Sequence, residues 1–328
     1  MIVGPLKKGL RTALPVISVF FVLFLLPSLF SVSALQSVDS RHVIYSAIQS
    51  SVHSQVLIFI INILCIAVGS LLISVFAVRH EIVDKQNYLP AFLYLFFSSF
   101  LLDKNLLHPS VFANIFILLA LNELMNTYRE EEVLSKIFNA AFYTCIAFFF
   151  YINYAFFVLL FFVTLSILRP FNWREWVISL MGFVAVLFIY SCLGFLANID
   201  FTSFYGDIIE LIIFFQKPSL SEYFYPVAGI IFLLILLGAS KHFQNGFGGT
   251  VKTQKVITVI YWFLLLSFIN FFSKNNQPYF PLVASIIPLS ILMSDYFFNI
   301  KQIKVSNTLF FLLLASGTLL FLRLFMIF

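Results

Sequence analysis

Ten apolar runs, each bounded by charges or turn residues, constrain this chain more than any motif in it. They occupy residues 13–35, 56–78, 89–102, 110–126, 138–168, 175–197, 226–240, 256–272, 278–296 and 306–322. In hydrocarbon no water satisfies the backbone amides, so a spanning segment must be a helix or a strand of a closed barrel. The runs show no alternation of apolar and polar side chains, which predicts helices. Composition agrees, with 62% hydrophobic residues, 10% charged residues and a mean hydropathy of +1.03; a soluble domain is roughly half apolar and a quarter charged. The expected fold class is therefore all-α, a polytopic transmembrane helical bundle, and a water-soluble enzyme is excluded.

Run 138–168 is too long for one crossing and too short for two full ones, since a crossing needs about 20 residues. The cationic side chains decide between the alternatives. If the run is one helix, the 19 Lys and Arg divide 10 to 9 between the two faces. If it turns back near Ile152-Asn153-Tyr154, one face collects 14 of them, among them Arg79, Arg129, Lys136, Arg169, Arg174, Lys252 and Lys255. The other keeps 5: Arg41, Lys104, Lys217, Lys274 and Arg323. Cytoplasmic loops carry the excess of Lys and Arg, so the uneven division is the expected one. It gives 11 spans, the N-terminus in the cytoplasm and the C-terminus outside. Residues 89–102 and both halves of 138–168 are then short for a core of about 30 Å, forming two short mid-chain hairpins that neighbours must shelter.

The basic start and the Val32-Ser33-Ala34 triplet resemble a signal peptide, but the stretch of apolar residues is long enough to remain as an uncleaved anchor. With no repeat and no linker of biased composition, residues 1–328 read as a single integral membrane domain, with 13–225 a possible core module and 226–328 carrying additional spans. Cys65, Cys145 and Cys192 lie within apolar runs and lack paired spacing, so they are expected to be buried and chemically idle. Asn62, Asn114, Asn139 and Asn270 are expected to tie helices together, while Glu123 and Asp295 are expected to reach the interface from the helix ends.

Chemistry is expected in the loops assigned outside. Asp39, Arg41 and His42 form the candidate catalytic group: a carboxylate just beyond the first span can take a proton from a hydroxyl at the lipid surface, or hold a divalent metal against a lipid phosphate. Asp103 and His108 are candidate substrate-binding residues, and no other cofactor is assigned. Asp207 and Glu210 beside an apolar stretch suggest an interfacial helix. On the opposite face, Asn172 caps a helix with Glu175 three residues on, a capping-box spacing. Trp173 and Trp176 are expected at head-group level, with Arg169 and Arg174 toward anionic lipid. Residues 128–132 read as a solvated turn and 241–255 as a flexible basic loop. Its F-G-G-T lacks the lysine of a nucleotide-binding loop.

The strings L-P-A-F-L-Y-L at 89–95, I-F-N-A-A-F at 137–142 and L-R-P-F-N-W-R-E-W at 168–176 resemble a family of bacterial multi-span inner-membrane proteins, a domain of unknown function. A second resemblance is architectural. One span, an outward loop with an acid, short paired helices and a longer outward loop look like the type-C fold of membrane glycosyltransferases that use polyprenyl-phosphate sugars. That resemblance implies Asp39 as the base, although the first loop has no D-D or D-E pair. The expected function is thus an inner-membrane protein of envelope glycan or lipid-linked sugar metabolism. The rivals are a non-enzymatic subunit or scaffold with a membrane protein partner, and a transporter of a lipid-like solute. Membrane lipids are expected partners and nucleic acid is not.

Overall fold

The computed structural model describes residues 6, 9–25, 55–101, 109–196, 224–244, 250–272, 280–300 and 303–326. Among them are eleven α-helices and no strand. In chain order these are α1 Leu10–Leu25, α2 Gln55–Arg79, α3 Leu89–Leu101, α4 Pro109–Met125, α5 Leu134–Phe150 and α6 Phe156–Leu168. Then come α7 Trp173–Leu196, α8 Phe224–Gln244, α9 Val251–Phe271, α10 Ile286–Asn299 and α11 Ile303–Met326. Short 3-10 turns precede α6 at Ile152–Ala155 and α10 at Phe280–Ser285. Among the described residues every apolar run of the sequence overlaps a helix, and run 138–168 overlaps two. Four stretches, Phe59–Arg79, Trp173–Leu196, Val251–Asn270 and Leu282–Asn299, are each long and apolar enough to cross a membrane.

The chain does reverse between α5 and α6. The helix stops at Tyr151, whose backbone is extended (φ −144°, ψ 107°), and resumes after the 3-10 turn. Arg169, just past the end of α6, donates from Nη1 to the carbonyls of Thr127 and Glu130 at 2.8 Å each, in the turn that precedes α5. Both ends of residues 134–168 therefore lie at one end of the bundle, which a single helix cannot achieve. The tip of the hairpin is buried at Ile152, Asn153 and Tyr154. The Tyr154 hydroxyl donates to Asn114 Oδ1 (2.5 Å), and Asn114 Nδ2 donates to the Val283 carbonyl (3.2 Å). One asparagine thus joins α4 to both 3-10 turns, as expected of it. Asn139, assigned the same role, is instead exposed on α5.

The short α3 is sheltered, as its length demands. At about 1.5 Å per residue, 13 residues reach only about 20 Å, and every residue from Leu89 to Ser99 is buried. Phe92 packs edge-on against Phe20 of α1 at 4.8 Å and near Phe310 of α11 at 5.7 Å. By contrast, α7 packs through one stripe, Glu175, Ser179, Gly182, Val186, Tyr190 and Gly194, at helical spacing. Its other faces expose Phe188, Leu193 and Phe195, as a helix set at the edge of a bundle in lipid should.

Three local expectations are corrected. Asp295, expected to reach the interface, is 3% exposed and accepts from Asn299 Nδ2 at 2.8 Å. Cys192 is exposed, while Cys65 and Cys145 are buried. The capping box at Asn172 is half formed. Asn172 Oδ1 accepts from the Arg174 amide at 3.2 Å, but the Glu175 carboxylate turns to the Arg169 guanidinium.

Candidate functional site: a basic cleft at one end of the bundle

The candidate catalytic residues Asp39, Arg41 and His42, and the candidate substrate-binding residues Asp103 and His108, lie outside the described residues, as do Asp207 and Glu210. Among the described residues, no three His, Cys, Asp or Glu side chains gather closely enough to hold a metal ion. What the fold does bring together is cationic. Three segments distant in sequence meet at one end: the turn after α4, the link between α6 and α7, and the first turns of α9.

Arg169 is the clasp of this assembly. Its Nε donates to both oxygens of Glu175 at 3.1 Å each, and its Nη1 holds the two carbonyls of the 127–130 turn. Burial makes the pair consequential, since Glu175 is almost wholly enclosed. Arg169 is therefore committed within the protein and not turned to lipid. Trp176, expected at head-group level, stacks on Phe162 at 5.2 Å. Of the four residues, only Trp173 and Arg174 are exposed, the guanidinium 5.8 Å from the indole ring.

Beside the clasp is an open cleft of about 520 Å³, lined by Tyr128, Arg129, Glu130, Leu168, Arg169, Pro170, Val251 and Lys255. Arg129 has a left-handed backbone (φ 59°), a conformation that costs a residue with a Cβ some free energy and is tolerated where the surroundings enforce it. Its guanidinium carbon lies 5.3 Å from the centre of the Tyr128 ring, and Lys255 Nζ lies 5.0 Å from the same ring. Lys255 also donates to the Leu168 carbonyl at 3.3 Å. Glu130 is engaged by Lys136 in an ion pair. Among the described residues, then, neither Arg129 nor Lys255 is paired with a carboxylate. One aromatic ring stabilises two cations that otherwise repel each other.

The start of α9 adds to this charge. Thr250 caps the helix by accepting from the Thr253 amide, and its hydroxyl donates to Glu81 Oε2 at 3.2 Å. The first turn holds no acid but carries Lys252, with Lys255 one turn on. A helix N-terminus is already positive, so lysines there are unfavourable unless something negative offsets them. Lys252 faces a second group at the end of α2, where Arg79 Nη1 reaches Asn122 Oδ1 at 3.5 Å and His80 is fully buried. The His80 ring lies 4.6 Å from Phe76, and neither ring nitrogen has a partner in hydrogen-bonding geometry. Burial first, then the Lys252 ammonium, lowers its pKa to about 4, with Asn122 opposing and Arg79 adding to the effect.

Sequence reasoning missed Arg129 and Lys255 as partners, reading their segments as a solvated turn and a loose basic loop. The available signal was the absence of any acid near Lys252 and Lys255 at a helix start, where the helix dipole favours one. Comparison with protein-family models, curated proteins and solved structures finds no match.

Proposed function

We propose that this chain is a multi-span protein of the bacterial inner membrane that takes the phosphate head of an amphiphile between Arg129 and Lys255. Lipid-linked sugars are the substrate class, and envelope glycan metabolism the setting. The observation that carries this reading is the cleft itself: two cations without carboxylate partners among the described residues, poised over one tyrosine ring, with Leu168, Pro170 and Val251 supplying apolar walls. Basic pockets between helices at the membrane surface suit anionic head groups, and exposed Phe171 and Trp173 beside the cleft have the chemistry of interfacial anchors. By the positive-inside rule this end faces the cytoplasm, with the N-terminus on the same side.

Native mass spectrometry of the detergent-purified protein tests the head-group site. Polyprenyl phosphate should be retained and the uncharged polyprenol should not. The double substitution R129A/K255A should weaken retention by at least about tenfold, because a hydrogen bond to a charged group contributes about 1.5–3 kcal/mol. Equal retention of phosphate and alcohol would remove the reading. The catalytic part of the proposal is separate from the cleft: Asp39 belongs to a loop assigned to the opposite face, so as base it would act on a substrate presented there and not on a head group held between Arg129 and Lys255. If Asp39→Asn leaves the host's surface glycans unchanged while deletion of the protein alters them, that part fails and a binding or scaffolding role remains.

A further inference from the structure

The outer face of α9 continues the cleft into the apolar part of the bundle. Lys255 and Trp262 are seven residues apart, two turns on nearly the same side of the helix, and Ile269 follows at the same interval. Trp262 is 43% exposed and Leu265 46%, so the strip below the cleft is apolar and uncovered among the described residues. Trp262 lies about 10 Å beyond Lys255 at 1.5 Å per residue. The neighbouring α6 runs antiparallel to α9. Its Leu168 carbonyl meets Lys255 at one end, and Phe157 packs on Phe263 at 4.8 Å toward the other. Leu159, at 56%, is exposed on α6 at a comparable depth.

We infer that the outer face of α9 is the track for the hydrocarbon chain of a phosphate-headed lipid whose head group lies between Arg129 and Lys255, so that Trp262 touches the chain about two turns below the charge. This rests on the head-group reading above and adds a bound path for the chain. A lipid held only by general solvation of the bundle would meet Trp262 without regard to its head group. A lipid seated in the cleft must bring its chain past Trp262 because the first turns of α9 form the cleft wall and Trp262 continues the line of Lys255. Two cations on one side and an apolar strip below them match an anionic amphiphile, and neither a soluble anion nor a protein segment uses both.

Tryptophan quenching tests the path. The fluorescence of the full-length protein minus that of Trp262→Phe isolates Trp262, and the replaced ring faces outward, so folding is not at stake. Maltoside micelles would carry phosphatidate or phosphatidylcholine, each brominated in its acyl chains. The Trp262 signal should be half quenched at an about tenfold lower mole fraction of phosphatidate than of phosphatidylcholine, and R129A/K255A should erase that difference. If phosphatidate binds preferentially by native mass spectrometry while both lipids quench Trp262 alike, the chain path is wrong and the head-group site stands. If neither measurement distinguishes the two lipids, both inferences fall.

Discussion

Arg169 does at the scale of one side chain what the loops alone could not do. Its Nε serves a buried carboxylate and its Nη1 two main-chain carbonyls, fixing the turn before α5 to the link after α6. Arg169→Ala leaves Glu175 enclosed without its counter-charge and strips the 127–130 turn of its donors. The expected loss is about 2–3 kcal/mol, below the full cost of breaking a buried pair because the arginine keeps some exposure. Thermal denaturation in detergent should show it, and R169M/E175M should lose less than the two single changes together. Additive losses would mean that the pair is not coupled. His80 gives a second expectation at this scale. With its pKa lowered from 6.5 to about 4, the unfolded chain takes up a proton between those values and the folded one does not. The stabilisation is complete above pH 6.5 and is lost as pH falls toward 4, by about 3 kcal/mol in all. His80→Gln should flatten the stability curve in that window, and an unchanged slope would place the titration elsewhere. Composition reveals neither residue's role. A histidine between two spans reads as a surface group, and only the meeting of α2, α4 and α9 buries it.

At the scale of elements, the sequence was legible wherever one physical requirement dominated. Apolar length located the helices, and the sorting of lysines and arginines located the reversal inside 138–168, which the Arg169 contacts bear out. Fine contacts were not legible, because they depend on which faces meet. Glu175 has the spacing for a capping box, yet a charged partner nearby outcompetes the amide it would otherwise serve. Asn114 and Asn139 look alike in sequence, and only the first lies where two turns need a donor and an acceptor. Glycine spacing shows the same limit. A Cβ at Gly182 would lie 2.8 Å from both Ala141 Cβ and the Phe138 carbonyl oxygen, and a main-chain oxygen cannot rotate away. Gly182→Ala should therefore force α7 off α5 and cost about 1–3 kcal/mol. Gly229 on α8 has nothing within 4 Å of the same position, so Gly229→Ala should leave stability unchanged or raise it slightly. Equal effects from the two changes would show that α7 does not pack closely through Gly182.

Across the whole molecule, charge and helix reversal describe one arrangement from two sides. Arg79, Arg129, Lys136, Arg169, Lys252 and Lys255 come from segments separated by up to 176 positions, from 79 to 255, yet they sit at a common end because the helices between them return in pairs. A membrane that retains positive loops on one side would select this arrangement during insertion, and the same concentration of charge then supplies a cleft for an anion. On the proposed reading, insertion and binding draw on the same side chains: the basic end is closed where Arg169 holds it and open where Arg129 and Lys255 lie. Reporter fusions follow from this. Fusions truncating the chain at Asn172 and at Lys252 should both report cytoplasm, since an even number of crossings separates each from the N-terminal end. A fusion at Lys274, beyond α9, should report the opposite side. A periplasmic signal at Asn172 with a cytoplasmic one at Lys274 would mean that the charged end faces outward. The cleft would then meet lipids of the outer leaflet.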